Sequence, residues 1–405
     1  MRILIVGDPR SIHTARFTLL LQELGHAVDV FAVELEIGQD EHLRGVTLHV
    51  PLAYIPAQNG NRLCGKAPWT ALLCRPSIIK RVVSRVLYAD AAPGKVRGVQ
   101  RLVAVISSVK PHLAISLKMQ NEGYAMARAH AFMHGKLPMP WIHFSWGTDM
   151  EFFGQHPDHA RQHVPLIRDL LSRCDFHVAD TERDLESARR LGFRGRTLGS
   201  MPANGGFDLE VLSALRNAAS RRRDTVLVKG RHGGYVGRAL NVVEAIRRAP
   251  EAFRPWRIRF LMASDDVAAA ASALRADTGL DCEALPRLRH DEIMGCFGRA
   301  AIAVSASEVD GTPGFLLEAM AMGAFPVHSD MSSLREWIRD GENGMLFPVN
   351  DIAALAARMV RALDDPGMRE RAIGLNSHLI AERADRNRLR ARVGRWVEEA
   401  TRSAA

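Results

Sequence analysis

The chain has 405 residues, 47% hydrophobic, 24% charged and 6% aromatic, with a formal net charge of +9 and an isoelectric point near 9.7. That length exceeds one comfortable hydrophobic core and predicts two or three domains, two being the simpler count; the composition excludes low-complexity and integral membrane classes. The basic balance calls for an acidic partner: nucleic acid, anionic lipid or a phosphorylated small molecule. Few aromatic residues, no zinc-finger spacing and no RNP-type motif argue against a dedicated nucleic-acid binder, and no nucleic-acid partner is expected. The cysteines, Cys64, Cys74, Cys174, Cys282 and Cys296, are scattered without a C-x-x-C pair, so neither a disulfide framework nor a zinc site is indicated. The opening MRILIVGDPR has too short an apolar run for a leader and reads as a first strand, which makes a cytoplasmic setting the expectation.

In chain order, Arg2 to Val6 predicts a strand, followed by the polar turn Gly7 to His13, a helix through Leu24 and a second strand, Ala27 to Val33. In such a β-α-β unit ligands are met at the carboxyl ends of strands, where Asp8, Arg10, Ser11 and His13 stand; His13 reads equally as a structural cap. Ala67 to Arg101 is a basic amphipathic segment broken by Pro76 and Pro93. Lys80, Arg81 and Arg85 suit either a solvated helix face or an anionic membrane surface, so peripheral attachment stays open. Strands are expected at Leu113 to Leu117, Trp141 to Phe144 and Cys174 to Ala179, and helices at Asn121 to His134 and Glu182 to Leu191. Ser145 to Asp149 reads as a terminal loop and Met201 to Asp208 as a turn-rich segment.

From Leu215 to Asp224 the pattern changes to a polar connector containing Arg221, Arg222 and Arg223, and a domain boundary is expected nearby. A second α/β series follows. Its strands are expected at Thr225 to Val228, Ile258 to Met262, Cys282 to Leu285, Ala300 to Val304 and Ala324 to His328. Helices are expected at Ala239 to Arg248, Val267 to Thr278, His290 to Arg299 and Phe315 to Met322, with a helical tail from Ile352. Two consecutive parallel-sheet domains with a cleft between them is the architecture this alternation favours.

Two stretches of the second series point at phosphate. Ser305 to Pro326, SASEVDGTPGFLLEAMAMGAFP, carries Asp310 in a glycine-punctuated turn and Glu318 one turn into the following helix. Such a helix end offers unpaired N–H groups and a positive dipole, and Glu318 can accept hydrogen bonds from sugar hydroxyls; an ordinary strand-turn-helix is the bland alternative. Lys229 to Arg238, KGRHGGYVGR, is a second glycine-rich turn with Lys229, Arg231 and Arg238 as standing cations. Neither G-x-x-x-x-G-K-[ST] nor G-x-G-x-x-G is present, so a P-loop nucleotidase or a dinucleotide enzyme is not supported.

Taken as a set, GRALNVVEAI and LRHDEIMGCFGRAAIAVSASEVDGTPGFLLEAMAMGAFPVHSDMSSLREWIRDGENGMLFPVND resemble the nucleotide-sugar-binding half of retaining glycosyltransferases of family 4, which have the GT-B fold. The likeness is close over Thr225 to Leu363 and looser in the first half. It implies an α/β chain of two tandem Rossmann-like domains with an inter-domain cleft. The expected divisions are 1–210 on the acceptor side, 211–385 binding the nucleotide-sugar donor, and a helix at 386–405 packing back toward the first domain. By the same resemblance Glu318 holds the donor ribose, and Asp310 stands where the family usually has a glutamate beside the transferred sugar. Gly311, Thr312, Gly314, Phe315 and Leu316 match the loop whose amides face donor sugar and diphosphate; Arg231 matches the phosphate-binding arginine, and Arg238 falls at a customary lysine. Trp146 stands where many relatives have a histidine, which makes His13 and Asp149 the candidates to face the acceptor hydroxyl. No cofactor and no metal are expected, since fixed cations and a helix end can stabilise the leaving diphosphate. The acceptor would be a hydroxyl-bearing glycan, lipid or small molecule, as in surface-polysaccharide or lipid-linked glycan synthesis. A sugar phosphorylase or nucleotide-sugar epimerase on the same plan, and a catalytically silent nucleotide-sugar-binding partner, are the rival readings.

Overall fold

A computed structural model of the protein describes residues 1–33, 38–52, 59–66, 97–218, 223–234 and 237–402. They divide into two compact units, Met1–Gly205 with Asn387–Ala405, and Gly206–Arg386. Of the basic segment Ala67 to Arg101, residues 67–96, with Lys80, Arg81 and Arg85, lie outside the described residues, as do Arg221 and Arg222. Among the described residues no helix is long and apolar enough to cross a membrane.

The first unit is built on strands β1 (Arg2–Val6), β2 (Ala27–Phe31), β3 (Thr47–Leu52), β4 (Arg62–Lys66), β5 (Leu113–Leu117), β6 (Trp141–Ser145), β7 (Phe176–Ala179) and β8 (Arg196–Ser200). They form one sheet in the order β4-β3-β2-β1-β5-β6-β7-β8, every neighbouring pair parallel. The central strands are apolar runs buried along almost their whole length, as a parallel sheet covered on both faces requires. The strand order reverses between β1 and β5, so the segments leaving those two strands flank the crevice where open α/β sheets take ligands.

Several expectations needed correction here. Ser145 to Asp149 is not wholly loop: a helix starts at Thr148 and holds Asp149 in its first turn. The helix expected from Asn121 becomes regular only at Tyr124, because Lys118 and Asn121 take positive φ of 73° and 67°. Strands β3, β4 and β8 and the helix Pro157–Leu171 were not anticipated. β8 is half-exposed and carries Gly199, and Pro165 interrupts the helical pattern, so neither shows a clean period.

The second unit's sheet comprises β9 (Thr225–Lys229), β12 (Arg257–Leu261), β13 (Cys282–Ala284), β14 (Ala300–Ser305), β15 (Phe325–Ser329) and β16 (Met345–Phe347). Their order is β13-β12-β9-β14-β15-β16, again all parallel, and a separate two-strand hairpin pairs β10 (His232–Gly233) with β11 (Gly237–Arg238). Here the order reverses between β9 and β14. The hairpin segment leaves the first of these strands and the Asp310 loop leaves the second, so the topology alone brings the two glycine-rich stretches side by side. The expected connector Leu215 to Asp224 begins inside a helix, Leu209–Ala218, which buries Leu212 in this unit's core.

Candidate active site

In the second unit, the chain leaves β9 through Gly230, whose missing side chain is a packing requirement. A Cβ there would lie 2.8 Å from Ala263 Cα and 2.9 Å from the Leu261 carbonyl oxygen. At the far end of the hairpin a Cβ on Gly237 would lie 2.3 Å from the Arg231 carbonyl oxygen. The hairpin is sewn to the neighbouring loop by the Arg238 amide, which donates to the Ala306 carbonyl at 2.9 Å.

Side chains reinforce that seam. Lys229 Nζ lies 3.5 Å from Asp310 Oδ2, with 15% and 22% of the two side chains exposed. Asp310 Oδ1 accepts from the Gly311 amide at 2.9 Å, and the Asp310 carbonyl accepts from Ser333 Oγ at 2.9 Å. Arg238 donates through Nε to Glu308 Oε1 at 2.8 Å, and its Nη2 lies 2.6 Å from the same oxygen as an ion pair. Arg231 is exposed, and no ion pair to it is found among the described residues. Beneath the loops, Ser329 Oγ donates to the Ser307 carbonyl at 2.6 Å and accepts from its amide at 2.9 Å. Burial, with the nearby Lys229 charge, pushes His328 down to about 3, so this imidazole is neutral.

The loop then enters the helix Gly314–Met322. Pro313, with φ −63° and ψ 128°, is pre-set for the residue before a helix, and its own side chain offers no cap to the first-turn amides. Phe315 and Leu316 turn their side chains into the core, Phe315 against Phe297 at 5.0 Å between ring centroids, so the backbone is what they present to the loop. Thr312 and Gly311 are buried and Gly314 is half-buried. One turn on, Glu318 lies 3.9 Å from His290 Nδ1 on the neighbouring helix His290–Arg299. These amides, cations and acids form a surface able to take a phosphorylated ligand at the helix end and hydroxyl groups at Glu318.

The first unit brings together a different set. Asp8 takes Arg10 Nε and Nη2 at 2.9 and 2.8 Å; burial raises its pKa, but the Arg10 hydrogen bonds outweigh that and hold it below the usual range. Ser11 caps the helix Ile12–Glu23 by accepting from the His13 amide. The His13 ring meets Trp146 edge-on, with centroids 5.3 Å apart. Asp149 Oδ2 accepts from the Trp146 and Met119 amides at 2.7 and 3.0 Å, tying the ends of β5 and β6 together. Asp149 is fully buried, and burial pushes its carboxyl up to about 7 against those two amide bonds.

Asp310, Arg231, Arg238, Gly311, Thr312, Gly314, Phe315, Leu316 and Glu318 therefore share one end of the second sheet, while His13 and Asp149 share one end of the first, linked through Trp146. Sequence reasoning missed Glu308, Ser329, Ser333 and His290, none of which stands in a periodic or motif position of its own. Among the described residues, no group of three or more His, Cys, Asp or Glu side chains could hold a metal ion. The described cysteines are free thiols, with Cys64 exposed and Cys174, Cys282 and Cys296 buried.

Comparison with known proteins bears on this second end first. Residues 224–365 match the family described as glycosyl transferases group 1. A stretch of 65 residues is 42% identical to phosphatidyl-myo-inositol mannosyltransferase of Mycobacterium leprae, covering 16% of this chain and 17% of that relative's length. Over complete chains, the fold is similar to sucrose-phosphate synthase of Thermosynechococcus elongatus, with a TM-score of 0.71, 16% identity and 100% of both chains covered. It is also similar to a UDP-forming α,α-trehalose-phosphate synthase of Burkholderia xenovorans (TM-score 0.68, 12% identity, 98% and 99% covered). Anabaena HepE in complex with UDP-glucose gives 0.64 at 14% identity, with 98% and 100% covered. The fold is GT-B, with parallel α/β sheets of eight and six strands.

Proposed function

We propose that the protein is a retaining glycosyltransferase that moves a sugar from a nucleoside-diphosphate sugar to a hydroxyl acceptor. The observation that carries this reading is one meeting point: the Arg231–Arg238 hairpin, the Asp310 loop and the helix end at Gly314 converge where the second sheet reverses its order, inside the region matched as glycosyl transferases group 1. Departure of a nucleoside diphosphate builds negative charge, and an exposed Arg231 with the first-turn amides is suited to stabilising it without a metal. In this reading Glu318 holds the ribose, Asp310 lies beside the transferred sugar, and Gly311 to Leu316 offer backbone amides to sugar and diphosphate. His13 meets the acceptor hydroxyl; Asp149 acts through the backbone of Trp146, keeping that ring against His13. The acceptor is a hydroxyl-bearing glycan, lipid or small molecule in surface-polysaccharide, lipid-linked glycan or other glycoconjugate synthesis.

The Anabaena HepE structure holds UDP-glucose, which supports UDP-sugars as the first donors to try. Ligand-induced thermal shift across UDP-, GDP- and ADP-sugars identifies the donor. With it in hand, Glu318→Ala and Arg231→Ala are each expected to cut turnover at least ~100-fold, the scale for losing a charge-stabilising group. Near wild-type rates in both variants would overturn the reading.

A further inference from the structure

Two of the cations in the candidate phosphate site already have an acid of this chain beside them, Lys229 with Asp310 and Arg238 with Glu308. The second pair is unequally held. Arg238 Nη1 donates to the carbonyl oxygens of Gly234 and Gly237 at 2.7 and 2.8 Å, while Nε and Nη2 both reach Glu308 Oε1. A guanidinium has five N–H donors; three are spent on these oxygens, and Nη2, the part left for a ligand, faces the Glu308 carboxylate. Its side chain is 20% exposed, whereas that of Glu308 is 36% exposed and lies on the loop leaving β14. Arg238 is thus anchored to the hairpin backbone, and Glu308 is the partner that can swing into water at little cost.

We propose that Glu308 is an internal counter-anion that occupies Arg238 in the unliganded protein and gives way to the diphosphate of the donor. The proposal rests on the glycosyltransferase reading and adds an affinity-setting residue to the same site. Binding a diphosphate then requires breaking one ion pair, and it leaves the displaced carboxylate near a second anion. Both effects weaken binding, and both disappear when the Glu308 charge is removed. A purely structural role predicts the opposite, because losing the pair would loosen the hairpin that also carries Arg231.

Calorimetric titration of the full-length protein and its Glu308→Gln variant with UDP, GDP and ADP separates these cases. The variant is expected to bind the preferred nucleotide about 3- to 10-fold more tightly, in keeping with the modest strength of a part-exposed ion pair. The gap should narrow as salt is raised. Glu251→Gln serves as a charge-matched control, because Glu251 pairs with Arg254 just before the amino end of β12, away from the carboxyl-end loops. Equal or weaker binding by the folded Glu308 variant overturns the proposal, and so does equal tightening in the Glu251 control. If neither wild type nor the Glu308 variant binds any of the three nucleotides, the nucleotide-sugar reading beneath it fails instead.

Discussion

At Asp149 a carboxyl group is closed off from water and met by two backbone amides, and its second oxygen, Oδ1, finds no hydrogen-bond partner among the described residues. Burial wins over the amides and lifts the group from an ordinary 3.8 to about 7. Between those values the folded chain binds more protons than the unfolded one, so this contribution to stability is present below pH 3.8 and is lost as pH rises through 7. Asp149→Asn keeps an oxygen for the amides without the charge. It is expected to be more stable than wild type at pH 8, by on the order of 2–4 kcal/mol, with the difference closing as pH falls toward 4. Thermal unfolding across that range checks both the sign and the window. The sequence placed Asp149 at the end of a strand but not its burial, which depends on a chain reversal at Lys118 and Asn121 some thirty residues earlier. Arg238 makes the same point. Its charge was legible, but the Glu308 carboxylate that occupies it lies 70 positions away in sequence.

Elements were more legible than contacts. The helices Ala239–Arg248 and His290–Arg299 have the bounds that apolar spacing predicts, because each buries one stripe against the sheet. What closes a helix was harder to see. The helix Gly314–Met322 ends on Gly323 in a left-handed conformation, φ 76°, where a Cβ would stand 2.7 Å from Arg223 Nη2. Arg223 sits there because it donates to the Met322 carbonyl at 2.8 Å, and through Nη1 to the carbonyls of Ala300 at 3.0 Å and Phe297 at 3.5 Å. One guanidinium thus closes the carboxyl ends of two adjacent helices, although its sequence context reads as a solvated arginine run. Burial lowers its pKa, the mark of a cation taken out of water for its contacts. Arg223→Met leaves those carbonyls without the charged donor and is expected to cost about 2–4 kcal/mol in denaturant unfolding. Donor binding, if the cap is purely structural, should survive in the fraction that remains folded.

On the scale of the whole molecule, the end of the chain completes the core of the first unit. Leu389, Val393, Trp396, Val397 and Ala400 are buried there among Ile3, Phe17, Leu20 and Phe144. Polar contacts add to them: Arg392 Nη1 donates to the Ser200 carbonyl at 2.6 Å, and Arg390 lies 3.6 Å from Glu23. The spacing of those five residues is a helical stripe that the sequence shows plainly, but the surface it covers is written between 245 and 397 residues earlier. At about 1.5–3 kcal/mol for each large apolar side chain, Leu389, Val393, Trp396 and Val397 together contribute roughly 6–12 kcal/mol. The net stability of a folded domain is only about 5–15 kcal/mol, so the stripe is comparable to the whole margin. Deleting residues 387–405 is therefore expected to unfold the first unit while leaving the second, whose core draws on none of those residues. Limited proteolysis of the shortened chain should degrade 1–205 and leave a protected fragment within 206–386. A cleavage pattern the same as that of the full chain would show that the first unit holds its fold without the stripe.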